Sequence, residues 1–168
     1  LYPGTWHLEH PLNHPNSIGV KLIAEAARER LAVLLSGEGA DELFGGYGRF
    51  PQLQRPWGRY WLSQLRSKPY DRLQCVLNFP DEAWRSVMAT AFGSPALAKR
   101  VYPSFDGDKA LESRLSFYDG IPGSRFQRNR FYDIRAYLPD LLMRQDKMSM
   151  AHSVENRVPF LDNELSSL

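Results

Sequence analysis

Apolar residues first recur at helical spacing in Ile18, Leu22, Ile23, Ala26 and Ala27, which share one face of a helix predicted from Asn16-Ser17, its capping residues, to about Arg30. The period then gives way to Leu31-Ala-Val-Leu-Leu35, a short unbroken apolar run. Such a run predicts a fully buried strand, because parallel strands covered on both faces lose their alternation. A Gly-rich loop, Ser36-Gly-Glu-Gly-Ala-Asp-Glu42, follows directly. Helix, buried strand and Gly-rich loop in that order predict an α/β domain. Upstream, residues 1–16 carry three Pro and two Asn with no apolar period, and predict an irregular approach segment.

Beyond Tyr47 the pattern becomes mainly helical. Trp57 to Leu65, Tyr70 to Leu77, Asp81 to Phe92 and Lys109 to Tyr118 each carry apolar residues at 3–4 spacing between Pro or Gly. Asp81 is placed as an N-cap and Gly93 as a C-terminal stop. Phe126 to Leu138 continues the pattern until Pro139 is expected to break it, and Pro139-Asp140 opens another helix. Val158-Pro-Phe-Leu161 predicts packing around a turn, and residues 162–168 a helix that has barely begun.

Composition narrows the class without naming it. The chain has 168 residues, enough for one domain with a sizeable core, and 12% aromatics, more than a disordered chain carries. A net charge of +2 points to no nucleic acid, membrane surface or acidic partner. Cys75 is the single cysteine, which excludes an intrachain disulfide and fits a reducing compartment. No apolar run reaches the roughly 20 residues a membrane helix needs. Both ends read as cuts through a longer protein. His7, His10, His14 and His152 do not form a zinc pattern.

The chemistry concentrates in the loop after the strand, where ligands of open α/β sheets bind. Gly37 and Gly39 are expected to take positive φ and to let a ligand approach the backbone. Glu38, Asp41 and Glu42 place three carboxylates in five residues. Mg²⁺ would relieve their mutual repulsion, and one of them could accept a proton. The plainer reading is that Glu38 accepts backbone N–H bonds while Asp41 and Glu42 cap the next helix. No Gly-Lys-Ser/Thr ending is present, so this is not a Walker loop.

Ser36-Gly-Glu-Gly-Ala-Asp-Glu-Leu-Phe-Gly-Gly-Tyr47 resembles the signature of the asparagine synthetase family. A second block, Leu138-Pro-Asp-Leu-Leu-Met-Arg-Gln-Asp-Lys-Met-Ser-Met-Ala-His-Ser-Val-Glu-Asn-Arg-Val-Pro-Phe-Leu-Asp162, is similar to another long family segment, about ninety residues on. Pro11-Leu-Asn-His-Pro-Asn-Ser17 fits what precedes the first block, whereas residues 51–125 are far less diagnostic. The resemblance implies that residues 1–168 are an interior part of the C-terminal synthetase domain, of the adenine-nucleotide-hydrolase-like (ATP pyrophosphatase) α/β type. The family's Ser-Gly-Gly-x-Asp-Ser pyrophosphate loop and glutaminase domain belong upstream, and a lysine that assists the chemistry belongs downstream.

The implied reaction is amidation of aspartate through β-aspartyl-AMP, with ATP and Mg²⁺ and with ammonia drawn from glutamine. Ser36, Gly37 and Glu38 match ATP-contacting positions. Glu38 is also the candidate to orient or deprotonate the incoming ammonia. Asp41 matches an acidic position close to Mg²⁺ and pyrophosphate, and Glu42 supports it. Lys147 and Arg157 match basic positions that could offset phosphate charge. An ion-pair network involving Asp146 and Glu155, holding the second block's helix, is the structural alternative for those two. A cytoplasmic protein, homodimeric at full length, is implied as well, and residues 1–168 alone are expected to make no asparagine.

Three other functions compete. A β-lactam-forming synthetase or another adenylating amidotransferase would act on a different carboxylate. A non-catalytic scaffold could keep the fold alone. Ser124-Arg-Phe-Gln-Arg-Asn-Arg-Phe-Tyr-Asp-Ile-Arg135 interleaves Arg125, Arg128, Arg130 and Arg135 with aromatics, as a nucleic-acid surface can. The same pattern also fits an amphipathic helix with a solvated basic face.

Overall fold

A computed structural model describes residues 2–10, 14–50, 81–90, 98–100 and 102–166. The expected helices at 57–65 and 70–77, the stop at Gly93 and the thiol of Cys75 lie outside the described residues. The chain divides into two compact units, residues 1–45 with 134–168, and residues 46–133.

The first unit holds α1 (Tyr2–Leu8), α2 (Asn16–Ala27), β1 (Val33–Leu35) and α3 (Ala40–Phe44) from the front of the chain. A helix begins in this unit again at Leu138 and runs to Met150; β2 (Glu155–Arg157), a 3₁₀ turn (Pro159–Leu161) and a short helix (Asn163–Ser166) follow it. β1 and β2 pair in parallel, Val33 opposite Glu155 and Leu35 opposite Arg157. The 138–150 helix packs against α1, α2 and β2. Leu8, Ala24, Leu138, Leu141, Met148 and Val154 form the core of this unit.

Several expectations are corrected here. Residues 2–8 are helical instead of irregular. Pro3 falls in the first turn, where no N–H is required, and burial of Leu8 holds the segment in place. In α2 the buried residues are Ser17 and Ala24, while Leu22 and Ile23 are 57% and 61% exposed. Small side chains on the inward face of α2 let it lie close to the 138–150 helix. Pro15, not Asn16 or Ser17, holds the N-cap position of α2, without a side-chain cap. The strand is shorter than Leu31–Leu35 and only half-buried, with Leu35 72% exposed, since β2 is its single neighbour among the described residues.

The second unit contains α4 (Glu82–Ala89), α5 (Gly107–Asp119) and α6 (Arg125–Tyr132). Asp81 caps α4 as expected, accepting from the Trp84 N–H at 3.2 Å, and Asp106 does the same for α5 through Lys109. Ser124 and Gln127 close a capping box on α6. Phe50, Trp84, Val87, Tyr118, Ile121 and Tyr132 are buried in this unit. The Tyr118 hydroxyl meets Ser86, Glu82 and Asn129, and burial pushes its pKa up to about 12. Arg125 and Arg128 pair with Glu82, and Arg130 lies over the Phe126 ring. Arg125, Arg128 and Arg130 thus have contacts within this unit.

Pro139 does not stop the helix that precedes it. Residues Asp133–Tyr137 widen into a π turn, and the α-helix of Leu138–Met150 starts with Pro139 in its first turn. Pro139 has no N–H for the carbonyl four residues back, and a π turn takes up that missing bond.

Candidate active site

Strand pairing brings the acidic loop and the second block together. The Ser36 N–H, first residue past β1, donates to the Arg157 carbonyl of β2 at 2.9 Å. The Ser36 hydroxyl then accepts the Glu38 N–H at 3.3 Å, closing the turn. Gly39 has φ 91°, and a Cβ there would stand 2.3 Å from Leu161 Cδ2. Both reasons for glycine therefore meet at this residue. Gly37 differs from expectation: it is not among the positive-φ residues, and its Cβ position faces open space. Phe160 meets Phe44 edge-on at 6.2 Å. The 158–161 segment, expected only to pack around a turn, buttresses the acidic loop.

The three carboxylates part company. Asp41 is exposed at the start of α3, whereas Glu42 is 1% exposed. No side-chain hydrogen bond caps α3, but Asp41 and Glu42 both lie in its first turn, where the helix dipole favours acidic residues. Glu38 is partly buried and accepts from Arg144 Nη2 at 3.4 Å. Burial raises the Glu38 pKa, the Arg144 guanidinium opposes that rise, and Glu42 and Asp41 add to it. A carboxyl so placed holds its proton more readily than an ordinary glutamate.

The basic residues expected at the site have separate engagements. Lys147 Nζ donates to the Leu8 carbonyl at 3.2 Å and to the Glu9 carboxylate at 2.5 Å, a cation closing the C-terminus of α1. The Arg157 side chain pairs with exposed Glu155 at 2.8 Å, and its backbone carbonyl meets Ser36. Arg144 was not among the expected residues. Its signal was legible, since Leu138, Leu141, Arg144, Gln145 and Met148 follow the buried face of one helix and a cation among them is unusual.

Among the described residues no three His, Cys, Asp or Glu side chains come together as a metal-holding group. Exposed Asp41 still offers the oxygen donors that suit Mg²⁺, which needs only one or two protein carboxylates and keeps several waters. No described helix is long and apolar enough to cross a membrane.

The asparagine synthase family model matches residues 3–168. The chain is 30% identical to asparagine synthetase [glutamine-hydrolyzing] 1 of Bacillus subtilis over 94% of its own length and 27% of that protein. It is 32% identical to a putative asparagine synthetase [glutamine-hydrolyzing] of Mycobacterium tuberculosis, over 95% of itself and 27% of that protein. An amidase of Gibberella zeae, chry2, is 24% identical over 96% of the chain and 29% of that protein. The chain thus spans about a quarter of the curated relatives it matches. No solved structure matches it significantly. With its acidic loop seated against the second block through β1 and β2, the chain belongs to the asparagine synthase family.

Proposed function

We propose that this chain contributes one wall of the ATP site of a synthetase that amidates aspartate to asparagine, within an α/β domain of the ATP-pyrophosphatase type. The observation that carries the reading is Glu38, a partly buried carboxyl in the loop beyond β1, facing Arg144 of the second block. The reaction begins when an oxygen of the aspartate side chain bonds to the α-phosphorus of ATP and the bond to pyrophosphate breaks. Ammonia nitrogen then bonds to the acyl carbon, AMP departs, and one proton is released.

The exposed Gly37 backbone leaves room for the nucleotide to lie against the loop. Glu38, whose proton affinity is raised, suits the task of taking the proton from the incoming nitrogen. Arg144 steadies the carboxylate that results. Asp41, facing outward, is the residue that would hold Mg²⁺, which disperses charge on the departing pyrophosphate. The nitrogen source is glutamine-derived ammonia in this reading.

Aspartate-dependent exchange of labelled pyrophosphate into ATP by the intact protein tests the adenylation half. Exchange with aspartate and none without it supports the reading, and exchange independent of aspartate contradicts it. The second reading is a related adenylating synthetase that acts on a different carboxylate. It would appear as exchange that requires another acid.

A further inference from the structure

Arg144 carries more donors than its visible partner uses. Its side chain is 5% exposed, and its contact with Glu38 is a single one from Nη2 at 3.4 Å. Among the described residues, Nε and Nη1 are buried and have no hydrogen-bond partner. A guanidinium presents five N–H donors and cannot shed its charge, so buried donors left unmade are costly. The Glu38 contact is itself loose, beyond the roughly 2.7–2.9 Å of a tight charge-assisted bond. Arg144 is buried on the same helix face as Leu141 and Met148. Burial lowers the pKa of His14, the Arg144 charge adds to that, and Asp140 opposes it.

A buried cation beside the acidic loop, with two of its three nitrogens unmet, has donors to offer an anion. We propose that Arg144 binds an anionic oxygen of the substrate directly, through Nε and Nη1, while Nη2 keeps hold of Glu38. The oxygen belongs either to the phosphate chain of the nucleotide or to the carboxylate of the amino-acid acceptor; that assignment rests on the synthetase reading. Arg144 would then couple occupancy of the site to the position of the Glu38 carboxylate, because one planar group touches both.

The test is calorimetric titration of the intact protein with inorganic pyrophosphate and, separately, with aspartate. R144Q is expected to weaken one of the two at least about tenfold, the size of a lost charged hydrogen bond, and the ligand affected identifies the source. The same factor is expected in an E38Q background, where an Arg144 that served only Glu38 would have nothing left to lose. R144K should fall between R144Q and wild type. Affinities unchanged within about twofold, a loss that vanishes in E38Q, or wild-type protein that binds neither anion would each overturn the proposal. If R144Q melts before it can be titrated, R144K decides alone: a loss of about threefold or more supports the proposal, and wild-type affinity overturns it. Absent pyrophosphate exchange together with an Arg144-dependent anion affinity would sink the synthetase reading and leave this one standing.

Discussion

Glu38 sits between opposing influences, with burial and neighbouring carboxylates raising its pKa and Arg144 restraining it. Its carboxyl titration, followed by NMR, should therefore lie above the ordinary glutamate range and move higher in R144Q. The consequence for stability has a definite sign. A carboxyl whose folded pKa is raised favours the fold at low pH and loses that contribution as pH rises through the folded value. E38Q, which never ionises, should accordingly gain on wild type as pH is raised from acid to neutral in denaturant melts. A Glu38 titrating at or below the ordinary value would refute this electrostatic account. At Gly39, G39A should destabilise the fold by about 2 kcal/mol, since both the left-handed backbone and the contact with Leu161 resist a Cβ. The double variant G39A/L161A should relieve the steric part and keep the backbone part. Equal loss in the two would show that the backbone alone matters.

At the scale of elements, legibility followed local chemistry. Asp81 was readable as a cap because an acidic residue precedes an apolar period, and it caps α4. Ser124 and Gln127 carried the equally local capping-box pattern, so S124A should cost α6 about 1 kcal/mol in a thermal melt. No measurable loss would mean that tertiary packing alone holds that helix. What sequence could not disclose were choices made by neighbours. The buried face of α2 passes through Ser17 and Ala24 because the 138–150 helix lies there, against the pull of Leu22 and Ile23. β2 is written Glu-Asn-Arg, with no apolar signal, and is a strand only because β1 offers it a parallel edge. The π turn before Pro139 is a compensation for a missing N–H, which reads in sequence as a break.

For the whole molecule, the acidic loop owed its meaning to a segment about a hundred residues further on. Three carboxylates near a helix start were ambiguous by themselves. The fold resolves them into an outward Asp41, an inward Glu42 and a Glu38 tied to Arg144. Lys147, which matches a phosphate position by resemblance, meets Leu8 and Glu9 at the end of α1. K147A is expected to lower the melting temperature by loosening α1, with nucleotide affinity within about twofold of wild type; a tenfold loss of that affinity would assign Lys147 to the phosphate site instead.

The most direct test of the central claim is product analysis of the intact protein supplied with aspartate, ATP and ammonia, compared with E38Q at equal folded concentration. The account predicts asparagine, AMP and pyrophosphate in equal amounts, with the rate of asparagine formation falling about a hundredfold or more in E38Q. Formation of ADP and phosphate instead, or an E38Q rate equal to wild type, would contradict it.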